Sequence, residues 1–295
     1  MLQSTPVYDI CTLSDFRQDD ILVSRFAPYL EHHKNLYAAH RHTFYHVVFF
    51  TEGGGNHTID FERFKVKPRQ IYFMIPGQVH SWAFEGFTDG YIINFSDSFF
   101  QSFLLDANYC EKFSFFSGDV SDAVINLPDE TAAKVSIIFE DIIKEWESSP
   151  TQTTDLMRVL MLHLFILVNR FNGGGINKAS SSYNQTLLKG FRKLIENHYK
   201  TLKLPNEYAA LLYITPNHLN AVCKDLIGQQ AGELIRNRII LEIKRLLTNP
   251  KLTITEIASG LNFSDNSYFT KFFKKTEGIT PEEFRKNILT QNHHE

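Results

Sequence analysis

One stretch constrains this chain more than any other: Ile254 to Arg285, ITEIASGLNFSDNSYFTKFFKKTEGITPEEFR. Its punctuation predicts three short helices separated by two turns. Asn262 stands where a tight turn needs φ > 0, which Asn tolerates better than most residues. Gly278 ends the second helix. Thr280-Pro281-Glu282-Glu283 opens the third with a cap and first-turn carboxylates. A weaker copy runs from Leu204 to Lys224, with Thr215-Pro216 as an N-cap followed by Pro at the first helical position. The copies align: Ala209 with Ala258, Leu212 with Leu261, Ile214 with Phe263, Leu219 with Phe269, Cys223 with Phe273. The alanines are 49 residues apart, so one helix-turn-helix unit is repeated. Alanine is needed where two short helices cross, because a larger side chain would push them apart.

A helix-turn-helix places its second helix in the major groove of DNA. The outward face of the first such helix is read as Asn217, Asn220, Ala221 and Lys224. The second is read as Asn266, Ser267, Thr270 and Lys271. Asn, Ser and Thr bond base edges, and Lys bonds guanine or phosphate. Taken singly, either face is also an ordinary solvated helix surface; the duplication favours reading of DNA. An amphipathic helix over Glu233–Leu247 separates the units. A helix of about 17 residues spans about 25 Å, which could hold two readers near the roughly 34 Å of one DNA turn.

Charge divides the same way. Residues 1–182 carry 14 Lys+Arg against 22 Asp+Glu, a net of −8, and residues 183–295 carry 16 against 11, a net of +5. A basic C-terminal half is the half expected to meet phosphate. The three cysteines, Cys11, Cys110 and Cys223, are too scattered for a disulfide framework or a CxxC metal site. Asp9, Asp15, Asp19 and Asp20 argue against a signal peptide, and the apolar run Val159–Val168 is too short to span a bilayer. The expected location is cytoplasmic, with no membrane partner.

Asn172 to Gln185, NGGGINKASSSYNQ, has the composition of a flexible linker. The expected organisation is a domain over 1–171, a linker over 172–184 and a domain over 185–295. The first begins with strands at His42–Thr51, Gly55–Phe61, Ile71–Ile75 and Gly90–Phe95, which suggests a sandwich or small barrel. Helices follow at Ser98–Leu105, Asp129–Glu147 and Thr153–Phe171. The last is apolar nearly all round, so it is expected to be buried within the domain, at a subunit contact, or both. The C-terminal part is helical throughout, starting near Gln185–Tyr199.

The C-terminal region, about residues 185–289, resembles the DNA-binding domain of the AraC/XylS family of bacterial transcription regulators. GLNFSDNSYFTKFFKKTEGITPEEFR looks like that family's signature. Asn262 departs from the usual Gly. Cys223 replaces a usual Phe, and Ala221 stands where a longer base-reading side chain is common, which implies a less discriminating first reader. The β region opens with His40-Arg41-His42-Thr43-Phe44-Tyr45-His46 and continues to Pro76-Gly77-Gln78-Val79-His80. It resembles the cupin-like ligand-sensing domain of many such regulators. The resemblance implies an α+β protein: a cupin-like β-barrel with dimerisation helices, then an all-α domain with two helix-turn-helix motifs.

His40 and His42 share one strand face, since side chains alternate. With His80 they could form a metal site. His46 lies where metal-binding cupins commonly have Glu, so no carboxylate completes the usual ligand set, and the expectation is no metal and no cofactor. The candidate effector pocket is His40, His42, Tyr45, His46, Tyr72, Phe73, His80 and Trp82; the plainer reading makes its aromatics sandwich core. The leading functional reading is a transcription regulator, by family habit an activator, controlled by a small-molecule effector. Its expected partners are promoter DNA, RNA polymerase and a second copy of the chain. Two alternatives stay open: a constitutive DNA-binding regulator without a ligand, and a metal-dependent cupin enzyme fused to a DNA-binding domain. No nucleophile triad, P-loop or GxGxxG supports other chemistry.

Overall fold

The structure, a computed structural model, describes residues 6–10, 20–100, 103–104, 109–148, 151–172 and 183–291. It divides into two compact units, Pro6–Ile176 and Asn177–Glu295. Most of the segment read as a linker, residues 173–182, lies outside the described residues, as does Cys11.

The first unit is built on two five-stranded sheets. One has the order β1 (Val7–Tyr8), β3 (His40–His42), β8 (Val79–Phe84), β5 (Gly55–Ile59), β6 (Glu62–Lys65). The other has the order β10 (Val124–Asn126), β7 (Gln70–Met74), β4 (Tyr45–Glu52), β9 (Asp89–Phe95), β2 (Ile21–Arg25). All pairings are antiparallel except β1 with β3. Alternation along the second sheet sends side chains to two different cores. Val48, Phe50, Tyr72, Met74 and Ile92 join Trp82 and Ile59 of the first sheet between the sheets. Val47, Phe49, Ile71, Phe73, Tyr91, Ile93 and Phe95 face outward and are covered by helices.

Those helices are α3 (Asp129–Ser148) and α4 (Thr153–Phe171), which follow the short α1 (Phe26–His32) and α2 (Val120–Ala123). α3 buries Val135, Ile138, Phe139, Ile142 and Ile143. α4 buries Met157, Met161, Leu164, Phe165 and Val168. Its other face leaves Leu156 and Val159 about half exposed, so only one side of this apolar helix is satisfied within the unit. Of the helix expected at Ser98–Leu105, residues 98–100 belong to a 3-10 turn over Asp97–Phe100 and residues 103–104 are not helical.

The second unit is entirely helical: α5 (Tyr183–His198), α6 (Pro205–Leu211), α7 (Pro216–Ile227), α8 (Ala231–Leu247), α9 (Ile254–Gly260), α10 (Asn266–Glu277) and α11 (Pro281–Gln291). α6 with α7, and α9 with α10, are the two repeats. Ala209 and Ala258 are fully buried, as their place at a helix crossing requires. α8 carries Ile235, Ile239, Ile240, Ile243 and Leu247 into the core that both repeats share.

Candidate functional site

Capping fixes each reading helix. The Thr215 hydroxyl accepts from the His218 N–H at 3.2 Å, and Gly228 closes α7 with φ 70°. At α10, one Asp265 oxygen accepts from Ser267 N–H at 3.0 Å and the other from Tyr268 N–H at 2.9 Å. Gly278 closes that helix with φ 79°. Each cap satisfies backbone donors that a helix start leaves orphaned. The turn between α9 and α10 is also held from outside: Lys203 Nζ donates to the carbonyls of Leu261 and Asn262 at 2.9 and 3.2 Å.

Leu219, Val222 and Cys223 hold α7 to the core, and Phe269 and Phe273 hold α10. The opposite face of α7 exposes Asn217, His218, Ala221 and Lys224, and that of α10 exposes Asn266, Ser267, Tyr268, Lys271, Lys274 and Lys275. Asn220 and Thr270 are half-buried at matching positions. The Asn220 side-chain oxygen accepts from Ala231 N–H at 3.0 Å, so Asn220 ties α7 to the start of α8. Asn266 donates to the Thr255 hydroxyl at 2.8 Å. His218, Tyr268, Lys274 and Lys275 were not among the sequence candidates. Counting three and four residues from the expected readers finds them.

The second candidate site lies between the two sheets. His40 and His42 of β3, His57 of β5 and His80 of β8 point inward from one sheet, facing His46 of β4 and Asn94 of β9 from the other. All six are buried. His40 Nδ1 donates to the Ala38 carbonyl at 2.7 Å. His46 Nδ1 lies 2.6 Å from the Asn94 side-chain oxygen. His42 Nε2 lies 3.2 Å from His40 Nε2 and 2.7 Å from His80 Nε2, and His80 Nδ1 lies 3.0 Å from His57 Nε2. Among the described residues, His42 Nδ1, His46 Nε2, His57 Nδ1 and Trp82 Nε1 have no hydrogen-bond partner.

Burial disfavours the charged imidazolium. It lowers His40 to about 4 and His46 to about 3, and holds His42, His57 and His80 well below the ordinary value. The rings are therefore neutral at physiological pH and carry bare nitrogen lone pairs.

Six of the eight sequence candidates meet here: His40, His42, His46, Tyr72, His80 and Trp82. Tyr45 and Phe73 do not. Each is adjacent in a strand to an inward residue and so faces the opposite way. Tyr45 stacks on Phe95 at 4.9 Å and Phe73 on Phe115 at 3.9 Å, in the core under α4. His57 joins the cluster without having been expected.

Two family models match this chain: an AraC-like ligand binding domain over residues 24–160 and a helix-turn-helix domain over residues 208–287. The first spans the histidine cluster and the second spans both reading helices. The Msm operon regulatory protein of Streptococcus mutans serotype c is 26% identical over 249 residues, 83% of this chain and 84% of its own length. The probable transcription factor PqrA of Proteus vulgaris is 39% identical over 70 residues, 24% of this chain and 57% of that protein. A crystal structure of ToxT from Vibrio cholerae O395 is a loose likeness, with 15% identity, coverage of 90% of this chain and 96% of that one, and a TM-score of 0.43.

Proposed function

The chain belongs to the AraC/XylS family of transcription regulators, and from that premise we propose how its parts divide the work. The C-terminal unit reads promoter DNA through α7 and α10. The N-terminal unit senses a small effector at the histidine-lined interior and acts as a sensor, not as a catalyst. Its regulatory output is activation, through RNA polymerase, in the cytoplasm. Among the described residues no helix is long and apolar enough to cross a membrane.

The observation that carries this reading is the pair of capped helices with polar, basic outward faces, set on one scaffold by α8. Asn217, Ala221 and Lys224 form the proposed base-facing set on α7, joined by His218. Asn266, Ser267 and Lys271 form it on α10, joined by Tyr268. Asn220 and Thr270 sit at the flank of the contact. Lys274 and Lys275 extend the face toward phosphate. The half-exposed Leu156 and Val159, one turn apart on α4, support a homodimer through the N-terminal unit. In functional terms the expected division is sensing and dimerisation over 1–171, linkage over 172–184 and reading over 185–295.

The test is a titration of fluorescently labelled promoter DNA with the full chain at two salt concentrations. Binding should strengthen at low salt, since each phosphate contact releases counterions. No preference for promoter over random DNA would sink the specific-reader reading. A constitutive regulator would give DNA affinity indifferent to every small molecule tried.

A further inference from the structure

The two repeats make the same turn, but they hold it differently. Both turns are left-handed, at Tyr213 and at Asn262. Both close on the alanine of the preceding helix, with Ile214 N–H donating to Ala209 and Phe263 N–H to Ala258. Among the described residues, no side chain donates to the carbonyls of Leu212 and Tyr213 in the first turn. In the second, Lys203 Nζ donates to the carbonyls of Leu261 and Asn262 at 2.9 and 3.2 Å, and to that of Lys200 at 3.4 Å. Its three N–H groups thus have three acceptors. The ammonium also lies 4.8 Å from the centre of the Phe263 ring, within cation–π range. Ile214, at the same place in the first repeat, offers no aromatic face. Since the first repeat builds its turn without such a lysine, Lys203 is not needed to make the turn. Its other end shows what it adds. Lys203 N–H and Leu204 N–H both donate to one Glu207 oxygen, at 2.8 and 2.7 Å, which pins the Lys203 backbone to the first turn of α6. One residue therefore ties the start of the first repeat to the turn of the second, three residues before Asp265, the cap of α10.

We propose that Lys203 is a positioning residue that locks α10 relative to α7 and so sets the half-site spacing this chain accepts on DNA. The shared helix α8 joins the repeats through apolar packing, which is non-directional and tolerates small slides. Hydrogen bonds are directional, and those of Lys203 add what packing lacks. Successive base pairs are about 3.4 Å apart along the duplex. To follow a half-site shifted by one base pair, α10 would have to move by a distance that breaks the Lys203 bonds. A hydrogen bond to a charged group contributes enough to change an equilibrium by about tenfold or more, and the spacing preference gains by that factor. That the link matters for DNA rests on the function proposed above; that it locks the two repeats does not.

The experiment uses the full chain with Cys11 and Cys110 replaced by Ser; Cys223 is buried. Spin labels go on D225C of α7 and T276C of α10, both exposed positions. The distance distribution between them, from pulsed electron paramagnetic resonance, should be narrow in the parent and broader in K203M and K203Q. Both variants remove the ammonium, so the test does not hang on one of them folding. K203R keeps charge and donors, and its distribution should lie between. Duplexes are then selected from a random pool with the parent chain, and the recovered site is remade with one base pair added or removed between its halves. Preference for the selected spacing should fall by about tenfold or more in K203M and K203Q. An unchanged distance distribution in the folded variants overturns the lock. A uniform loss of affinity on every duplex, with the spacing preference intact, marks a plain phosphate contact or general loosening and overturns the spacing role. Recovery of no sequence from the pool sinks the DNA-reading premise and the spacing role with it, while the distance measurement still decides the lock.

Discussion

Replacing Tyr213 by Asn should stabilise the C-terminal unit. Tyr213 and Asn262 occupy the same place in the two repeats and have the same left-handed backbone, with φ 55° and 58°. Their turns carry matching hydrogen bonds: Ile214 N–H to Ala209 at 3.0 Å, and Phe263 N–H to Ala258 at 2.9 Å. Both turns therefore impose φ > 0, and only one has a residue suited to it. For a bulky side chain the left-handed region costs about 1–2 kcal/mol, and Asn recovers much of this. Tyr213 is 96% exposed, so its removal forfeits almost no burial. The expected gain is about 1 kcal/mol, or about 4–8 °C in the midpoint of a unit this size. Y213G should gain less, because Gly has more backbone freedom to lose by roughly 0.5–1 kcal/mol. Y213A, which keeps a Cβ, should change little. Thermal unfolding of the full chain, followed by circular dichroism and calorimetry, ranks the variants. A Y213N midpoint at or below that of the parent, with helix content intact, would refute the strain argument.

Lys271→Ala should cost about 1–3 kcal/mol of discrimination between specific and random DNA, whereas Ala221→Ser should cost little. An unchanged specific-to-random affinity ratio for K271A removes Lys271 from the readers. Leu156→Glu with Val159→Glu should yield a monomer, read by light scattering at micromolar concentration; a parent chain that is itself monomeric there defeats the dimer reading. Burial alone would raise the Asp89 pKa, but Arg25 and the N–H groups of Ala27 and Gly90 outweigh it and hold Asp89 below its ordinary value. The unfolded chain then takes up this proton first, so the contribution is present above about pH 4 and lost as pH falls through the folded value. D89N should be less stable than the parent at pH 7, and urea unfolding should show that gap narrowing below pH 4.

The C-terminal unit was legible because its signals are local. A cap, a Pro at N1, an Asn at φ > 0 and a closing Gly each name a position within a few residues, and the 49-residue repeat checks one unit against the other. The outward faces were only partly legible. The flanking rather than outward position of Asn220 and Thr270 depends on where α8 and α11 pack against the readers. The N-terminal unit was harder, because strands are identified by partners far away in sequence. β8 escaped notice because His80 and Ser81 interrupt its apolar pattern. His57 escaped although its strand was expected at Gly55–Phe61, because the polar Asn56 and Thr58 beside it leave no alternation to mark which face turns inward; only its pairing opposite Trp82 does so. Placing Tyr45 beside His46, and Tyr72 beside Phe73, in one pocket overlooked the alternation that puts strand neighbours on opposite faces.

The distribution of tryptophan gives the molecule a built-in optical probe. Of the two in the chain, Trp82 sits in the histidine interior, its ring 5.1 Å from His80 and 5.7 Å from His57, and Trp146 lies on α3 against the same unit's core. The helical unit has none. Both indole emitters therefore belong to the sensing unit. A shift of that emission on adding unlabelled promoter DNA would be read out in the sensing unit's own residues. Because coupling between binding sites is reciprocal, the size of the corresponding affinity change, measured from either end, must be the same.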